Sequence, residues 1–202
     1  MATAARVGMR LALGILFVCG CGREGDSESS RDYPPDAFAE LDVRRSFDFE
    51  NYISLDDLVV EKSSVENAAI RTGNTLLIMD GRVFRPSPIP GFEYKQVCAS
   101  TKNHEVEVVV FVKELGAVTE QYARSVYGQL CNALGRQFYI PPDIVRTLGA
   151  DIVEMNTWMS APRSAKVLYD ALLCKGGDLH WRIELRAAKR LSALRRNEDK
   201  NE

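Results

Sequence analysis

The side chains best able to do chemistry in this 202-residue chain are five cysteines and two histidines: Cys19, Cys21, Cys98, Cys131, Cys174, His104 and His180. A cysteine thiol can accept an acyl group, form a disulfide or act as a nucleophile after deprotonation. His104 follows Cys98 closely, but Cys98 ends a predicted strand and lacks the helix N-terminus or second nearby cysteine that favours a reactive thiolate. The sequence also contains no phosphate loop, nucleophile elbow or zinc-binding helix motif. We therefore predict no catalytic residue, no metal site and no cofactor.

The first 21 residues have the pattern of an export signal. Arg6 and Arg10 precede every acidic residue, and the apolar run 11–18 is too short to span a bilayer as a stable anchor. The run ends at Val18-Cys19-Gly20-Cys21, where an aliphatic residue is followed by two small residues and a cysteine. This segment resembles the signal peptide of bacterial lipoproteins.

The resemblance implies cleavage before Cys21, a diacylglyceryl group on its thiol and acylation of the new N-terminus, for example with palmitate. Because each buried CH₂ contributes about 0.8 kcal/mol, several acyl chains would hold the protein on a lipid bilayer. Gly22, rather than an aspartate, follows the lipidated residue, which favours the outer membrane of a Gram-negative envelope. We expect a lipid-anchored protein of the cell envelope, in the outer membrane and facing the periplasm. A plain secretory signal or a retained anchor is the alternative interpretation.

The chain divides into four predicted segments. Residues 1–20 are the cleaved signal peptide, 21–35 a flexible tether with little to bury, 36–190 a single domain, and 191–202 a charged C-terminal tail. The chain has 26 basic and 28 acidic side chains; removing residues 1–20, with two arginines and no acid, leaves 24 and 28, a net charge of −4. This acidic balance argues against nucleic acid as a partner.

From residue 65 onward the sequence predicts strands. Thr75–Met79 and Arg82–Arg85 flank Asp80-Gly81, a dipeptide typical of a two-residue hairpin turn. Phe92–Cys98 and Glu105–Lys113 form a second predicted pair. Because both faces of the later segment are apolar, we expect it to be a central strand.

The last predicted hairpin has the clearest alternation of apolar and polar residues, over 167–173 and 179–187 on either side of a turn at 175–178. This pattern predicts an antiparallel sheet with one solvent-facing side. A weaker strand is predicted at 153–159.

One amphipathic helix is predicted between the strands. Apolar residues repeat every four positions from Val118 to Leu134, and Gly135 follows as a stop signal. Residues 36–66 carry nine acidic and three basic side chains, which we interpret as a solvated acidic flank. Together these patterns predict an α+β domain, a mainly antiparallel sheet of hairpins packed by at least one amphipathic helix.

Export would place the remaining cysteines in an oxidising compartment. Cys98 lies at the end of its predicted strand, and the following helix returns Cys131 toward the same level. We therefore predict a Cys98–Cys131 disulfide, with Cys174 free and buried; three unpaired core thiols are the alternative.

The C-terminal region is basic. Residues 179–196 contain six basic side chains and one acid. Four of the basic residues form a candidate surface for an anionic partner, such as lipid headgroups or an acidic protein: Arg182, Arg186, Lys189 and Arg190. Alternatively, these charges are simply solvated, or face the acidic segment across the fold.

Three functions are consistent with these features. The first is a membrane-tethered, non-enzymatic domain that contacts an envelope protein, for assembly, inhibition or scaffolding. The second is a periplasmic small-ligand-binding protein or hydrolase, with a cleft between the sheet and the Pro86–Gly91 loop. The third is a thiol redox protein that uses Cys98 and Cys131.

Overall fold

The computed structural model describes residues 36–141, 148–161, 166–177 and 180–189, and these ranges contain a seven-stranded antiparallel sheet with helices. The strands are β1 (Ala69–Thr72), β2 (Thr75–Ile78), β3 (Glu93–Ser100), β4 (Val106–Gly116), β5 (Ile152–Met159), β6 (Val167–Lys175) and β7 (Trp181–Lys189). Their order across the sheet is β1-β2-β3-β4-β7-β6-β5. The helices are α1 (Val43–Ser46), α2 (Leu55–Leu58), α3 (Lys62–Ala68) and α4 (Glu120–Gly135), with a 3-10 helix at Gly81–Val83. The predicted α+β class, with a mainly antiparallel sheet, is confirmed.

Strand β4 is the central strand of the sheet, as its two apolar faces predicted. It pairs with β3 on one side and with β7 on the other. Val109 and Phe111 point into the main core, whereas Val110, on the opposite face, is buried outside that core.

Helix α4 confirms the predicted amphipathic helix and packs on one face of the sheet, against β5, β6 and β7. It begins after Thr119, whose hydroxyl accepts a hydrogen bond from the N–H of Tyr122 at 3.2 Å. Its last residue is Gly135. Its buried side chains are Ala123, Val126, Tyr127, Leu130, Ala133 and Leu134.

The segment 36–66 is more than the solvated acidic flank that its composition indicated. Phe47 packs edge-on against Phe111 of β4, with 5.2 Å between ring centroids, and Phe49 stacks on Phe47 at 5.6 Å. Asp42 and Ser54 cap the short helices α1 and α2 through their side chains. The aromatic residues of this segment therefore complete the core, while most of its acidic side chains stay at the surface.

The first hairpin differs from the prediction. Strand β2 pairs with β1 across a turn at Gly73, where φ is +57°, and residues 82–85 do not form a strand. The carboxylate of Asp80 accepts a hydrogen bond from the backbone N–H of Arg82 at 3.0 Å and so caps the 3-10 helix. A Cβ at Gly81 would lie 2.8 Å from the carbonyl oxygen of Tyr94, so glycine permits a close approach here rather than a hairpin turn.

The β6–β7 hairpin is confirmed, with continuous pairing from Val167 opposite Lys189 to Lys175 opposite Trp181. Its predicted solvent-facing side is partly wrong, because Asp170 and Glu184 on that side are buried. Glu184 is covered by side chains that bind it from β3 and from its own strand, as described below.

Candidate functional site

Strand β5 forms one edge of the sheet, and its outer side is paired at one position only within the described ranges. Tyr139 donates its N–H to the carbonyl oxygen of Met159 at 3.0 Å, and Met159 donates back at 2.7 Å. An antiparallel continuation of this bridge would place Pro141 opposite Thr157. Proline has no backbone N–H, so the pairing stops there.

The bridge fixes which backbone groups of β5 face outward. Because the direction alternates along a strand, Met155 and Thr157 present their N–H and C=O groups to the same outer side as Met159, while Asn156 and Trp158 face β6. In the part of the chain that the structure describes, the outward backbone groups of Met155 and Thr157 have no hydrogen-bond partner. An irregularity in pairing between Ile152 and Glu154 ends the regular edge at the other side.

A groove of about 370 Å³ lies along this edge. No side chain among its described lining carries a charge, and the lining residues are Ile140, Pro141, Leu148, Met155, Asn156, Thr157 and Trp158. Ile140 is 79% exposed and Leu148 44% exposed. We call the outward backbone of Met155 and Thr157, together with this groove, the β5 edge site.

A polar cluster holds β5 against α4 behind the site. The Asn156 amide donates to the Tyr127 hydroxyl at 3.0 Å, and the Tyr127 hydroxyl donates to the carbonyl oxygen of Ala171 at 3.0 Å. Burial raises the pKa of Tyr127, so this phenol stays protonated and remains a donor. On the surface, Arg124 of α4 binds Glu154 of β5 at 3.0 Å.

The predicted Cys98–Cys131 disulfide is wrong in this structure, where Cys98, Cys131 and Cys174 are all free. Cys98 lies on β3 beside Leu77 and Val108, whereas the Cys131 sulfur lies 3.7 Å from the Asn156 amide on β5. Strands β4, β7 and β6 separate these two positions, because α4 returns over the β5–β7 half of the sheet and not over β3.

Two of the described thiols, those of Cys131 and Cys174, are poor nucleophiles. Burial raises the pKa of Cys131 and of Cys174 to about 11 in each case, so both remain thiols near neutral pH. Cys174 is free and buried, as predicted. The arrangement offers no vicinal pair for the thiol redox hypothesis among the described cysteines.

The predicted basic surface is divided between the two faces of the sheet. Arg182 binds Glu184 at 2.8 Å and also Asp151. Lys189 points to the opposite face and binds Glu105 at 2.7 Å. Successive residues of a strand alternate between faces, so a run of basic residues does not make one patch.

Only part of that basic run is exposed. Arg186 is exposed, while Arg190 and the predicted tail 191–202 lie outside the described residues. The acidic partners of Arg182 and Lys189 named here, Asp151, Glu184 and Glu105, all lie outside the acidic segment 36–66.

The charged cluster at Glu184 has a defined electrostatic balance. Burial alone would raise the pKa of Glu184, but hydrogen bonds from Lys95 and Arg182 outweigh it and lower this pKa below its ordinary value of 4.5. Glu184 therefore stays ionised between two cations, which is what a structural ion cluster requires.

His104 and the Pro86–Gly91 loop, which the sequence analysis also considered, are not part of the described β5 edge site. His104 contacts Asp56, with 3.3 Å between Nδ1 and a carboxylate oxygen, and adopts a positive φ of 56°. In the Pro86–Gly91 loop, Ile89 is buried in the core, so its side chain fills space that a ligand cleft would need.

Two further observations concern the described residues as a set. No three of their histidine, cysteine or acidic side chains come together so as to hold a metal ion. None of the described helices combines the length and the apolar character needed to cross a bilayer. Cys21 and the whole predicted signal and tether lie outside the described ranges.

Comparisons of this chain with protein-family models, with curated proteins and with solved structures each found no match. Function is therefore inferred from the leader residues and from the geometry of the β5 edge site. Sequence reasoning missed this site, although Pro141-Pro142, ten residues before the predicted strand at 153–159, is a signal for pairing that is interrupted.

Proposed function

We propose that this protein is a lipid-anchored protein of the bacterial cell envelope, and that its domain acts by binding another protein through the β5 edge site. The leader supports the anchor: a basic start, an apolar run of eight residues, and Val18-Cys19-Gly20-Cys21 with Cys21 as the lipidated residue. The choice of the outer membrane rests on Gly22.

The single observation that carries protein binding is the clustering of exposed apolar side chains at this edge. Eight large hydrophobic residues are exposed in the described ranges, and half of them lie on β5 or on the segments that flank it: Tyr139, Ile140, Leu148 and Val153. Single exposed apolar residues are ordinary, but several of them beside an edge strand whose outer side is paired at one described position are typical of an interaction surface.

The tether suits such a role. The described part of the domain begins at residues 36–38, where Ala37 donates its N–H to the Gln129 side chain on α4 and Phe38 is buried. With Cys21 in the membrane, a flexible segment of that length reaches about 20 Å, so the domain can search the space near the bilayer for its partner.

The anchor is tested by metabolic labelling with an alkyne analogue of palmitate in a Gram-negative host. Wild-type protein should be labelled and found in the membrane fraction, and Cys21→Ser should lose the label. Cys19→Ser is the matched control and should keep it, because the resemblance assigns the acyl chains to Cys21. Unchanged labelling of Cys21→Ser would refute the anchor.

Protein binding is tested by photo-crosslinking in intact cells. A photoreactive p-benzoylphenylalanine at Ile140 should give a discrete adduct with an envelope protein. The same group at Met79, which is also exposed but follows β2 near the far edge of the sheet, is the control and should give none. An absence of adducts at Ile140, or the same adducts at Met79, would contradict the proposed surface.

A further inference from the structure

We infer that the corner of the sheet at β1 docks on the surface of an anionic bilayer, with exposed aliphatic side chains among the lipid headgroups and arginines beside the lipid phosphates. The inference rests on the proposed anchor, which keeps the domain close to a membrane. It concerns the edge of the sheet opposite the β5 edge site and predicts how the domain is oriented on that membrane.

Three large aliphatic side chains are exposed at this corner. Ile70 on β1 is 52% exposed, and Met79, directly after β2, is 56% exposed. Ile70 pairs with Leu77, so continuing the alternation along β2 places Met79 on the same face of the sheet. Val60 is 60% exposed and donates its N–H to the carbonyl oxygen of Val83, in the 3-10 helix that follows β2, at 2.9 Å.

Arginines accompany these aliphatic residues. Residues 69–85 contain three basic side chains and one acid, and that acid, Asp80, is bound by Arg82 at 2.8 Å. Arg71 and Arg85 are exposed. The corner contains no gap, because the structure describes every residue from 36 to 141. The six residues that we call the β1 corner are Val60, Ile70, Met79, Arg71, Arg82 and Arg85.

The surplus of basic side chains is local. Helix α3 and its N-cap, which precede β1, add Lys62 together with Glu61 and Glu66, so the balance there is acidic. The positive charge therefore belongs to the β1–β2 hairpin and the 3-10 helix, in a chain whose mature form is acidic as a whole. An anionic lipid surface would attract this part of the domain.

The backbone of β1 is a poor template for a partner strand. The strand has four residues, and the N–H of Ala69 is already bound to the carbonyl oxygen of Val65 at the end of α3. Arg71 puts a charge on the same edge, which discourages pairing between edges. Arginine beside exposed aliphatic groups suits a bilayer better, because the arginines bind lipid phosphates while the aliphatic groups leave water.

The proposed anchor allows a small contact to be effective. Acyl chains on Cys21 would make docking an intramolecular step at a high effective concentration. Each basic residue close to an anionic surface favours the docked state about fivefold, the equivalent of about 1 kcal/mol. Because β1 and β5 are the two outer strands, docking at β1 directs the β5 edge site away from the bilayer. Contact with lipid also agrees with the absence of a protein adduct expected at Met79.

Tryptophan fluorescence tests the contact. Ile70→Trp places a reporter in the β1 corner, while the native Trp158 and Trp181 are buried and give a background that the wild type measures. The full-length lipidated protein is reconstituted into vesicles of phosphatidylethanolamine and phosphatidylglycerol, with or without bromine on the acyl chains. We expect brominated lipid to quench most of the reporter's emission. Ile140→Trp, at the opposite edge, is the matched control and should not be quenched.

The charge of the lipid and of the protein should both matter. Vesicles of phosphatidylcholine, which has no net charge, should quench the Ile70→Trp reporter less. Arg71→Gln in the same background should lower the ratio of quenched to unquenched reporter about fivefold in anionic vesicles. Arg45→Gln, at an exposed arginine of α1, is the control and should not change it. Thermal unfolding should be the same in all variants.

Three results would overturn the inference: no bromine-dependent quenching of Ile70→Trp in anionic vesicles, equal quenching of Ile140→Trp, or a reporter emission that shifts with protein concentration in detergent. The last result would indicate a second copy of the chain at this corner. Flotation of the vesicles reports the anchor separately. If the protein floats with the vesicles but the reporter is not quenched, the docking surface is wrong and the anchor stands. If the wild-type protein does not float, the anchor fails and this inference fails with it.

Discussion

Replacing Glu184 by glutamine should destabilise the domain by removing the anion from a cluster of two cations. The Glu184 side chain is 9% exposed and accepts hydrogen bonds from Lys95 and, at 2.8 Å, from Arg182. Breaking a fully buried ion pair costs about 3–5 kcal/mol. Lys95 remains 42% exposed and can recover water, so we expect a lower cost of about 1–3 kcal/mol at neutral pH.

The same variant should change how stability depends on pH. The pKa of Glu184 is lower in the folded protein than its ordinary value of 4.5. Its contribution is therefore fully present above that ordinary value and is lost as the pH falls through the lowered pKa of the folded state. The difference in unfolding free energy between wild type and Glu184→Gln should be largest near neutral pH and should shrink in acid.

Urea denaturation, followed by circular dichroism across this pH range, measures both effects. Glu93→Gln, on an exposed residue of β3, is the matched control and should stay within about 0.5 kcal/mol of wild type. Combining Lys95→Met with Glu184→Gln should give less than the sum of the two single effects. Wild-type stability of Glu184→Gln, or a difference that does not change with pH, would refute the argument.

Three further substitutions test the packing. Tyr127→Phe removes the donor to the buried carbonyl of Ala171 and should lower the free energy of unfolding by about 1–2 kcal/mol in urea. Gly81→Ala forces a Cβ to within 2.8 Å of the Tyr94 carbonyl oxygen and should lower the thermal midpoint, with a cost of about 1–3 kcal/mol. Phe49→Ala should cost about 3–5 kcal/mol, because this ring is fully buried.

Matched substitutions separate these effects from the general cost of mutation. Tyr139→Phe, on a half-exposed ring, should leave stability unchanged. Gly128→Ala in α4 has no atom within 4 Å of the new Cβ and should stabilise the helix by about 0.5–1 kcal/mol. Tyr52→Ala, on an exposed aromatic residue, should cost far less than Phe49→Ala. Equal losses within any matched pair would contradict the assigned contacts.

Local periodicity was sufficient for the elements that carry most of the sheet. The apolar repeat at every fourth residue identified α4, and alternation identified β6 and β7. Val109 and Val110 are both buried, which is the property that marked β4 as central. These signals work because one burial pattern is sustained over eight or more residues.

Shorter elements could not be predicted in this way. Strand β1 has no buried residue, since Ala69 is half-buried and the other three residues are exposed, so no alternation of apolar and polar residues predicted it. Asp80-Gly81 suits a capped turn as well as a hairpin. Phe47 and Phe49 enter the core from the C-cap of α1 and the turn that follows it, where no helix or strand imposes a repeat. The acid-rich composition of residues 36–66 indicated a solvated segment and not the burial of these two rings.

The candidate sites were predicted wrongly for a different reason: they depend on contacts between residues that are far apart in the sequence. The sequence predicted α4 correctly. The pairing of β7 with β4, however, determines which strands α4 covers, and therefore how far Cys131 on α4 lies from Cys98 on β3. The basic run of β7 was divided because Arg182 and Lys189 lie on opposite faces. The β5 edge site needed the bridge from Tyr139, a contact that no local pattern reports.

The most direct test of the β5 edge site is hydrogen exchange of individual amides in the free protein, measured by NMR. The structure predicts fast exchange for the outward amides of Met155 and Thr157, and slow exchange for Asn156 and Trp158, which face β6. Alternating protection along β5 would establish an edge whose backbone is available to a partner strand. Equal, slow exchange at all four amides would contradict it, because the outer side of β5 would then already be paired.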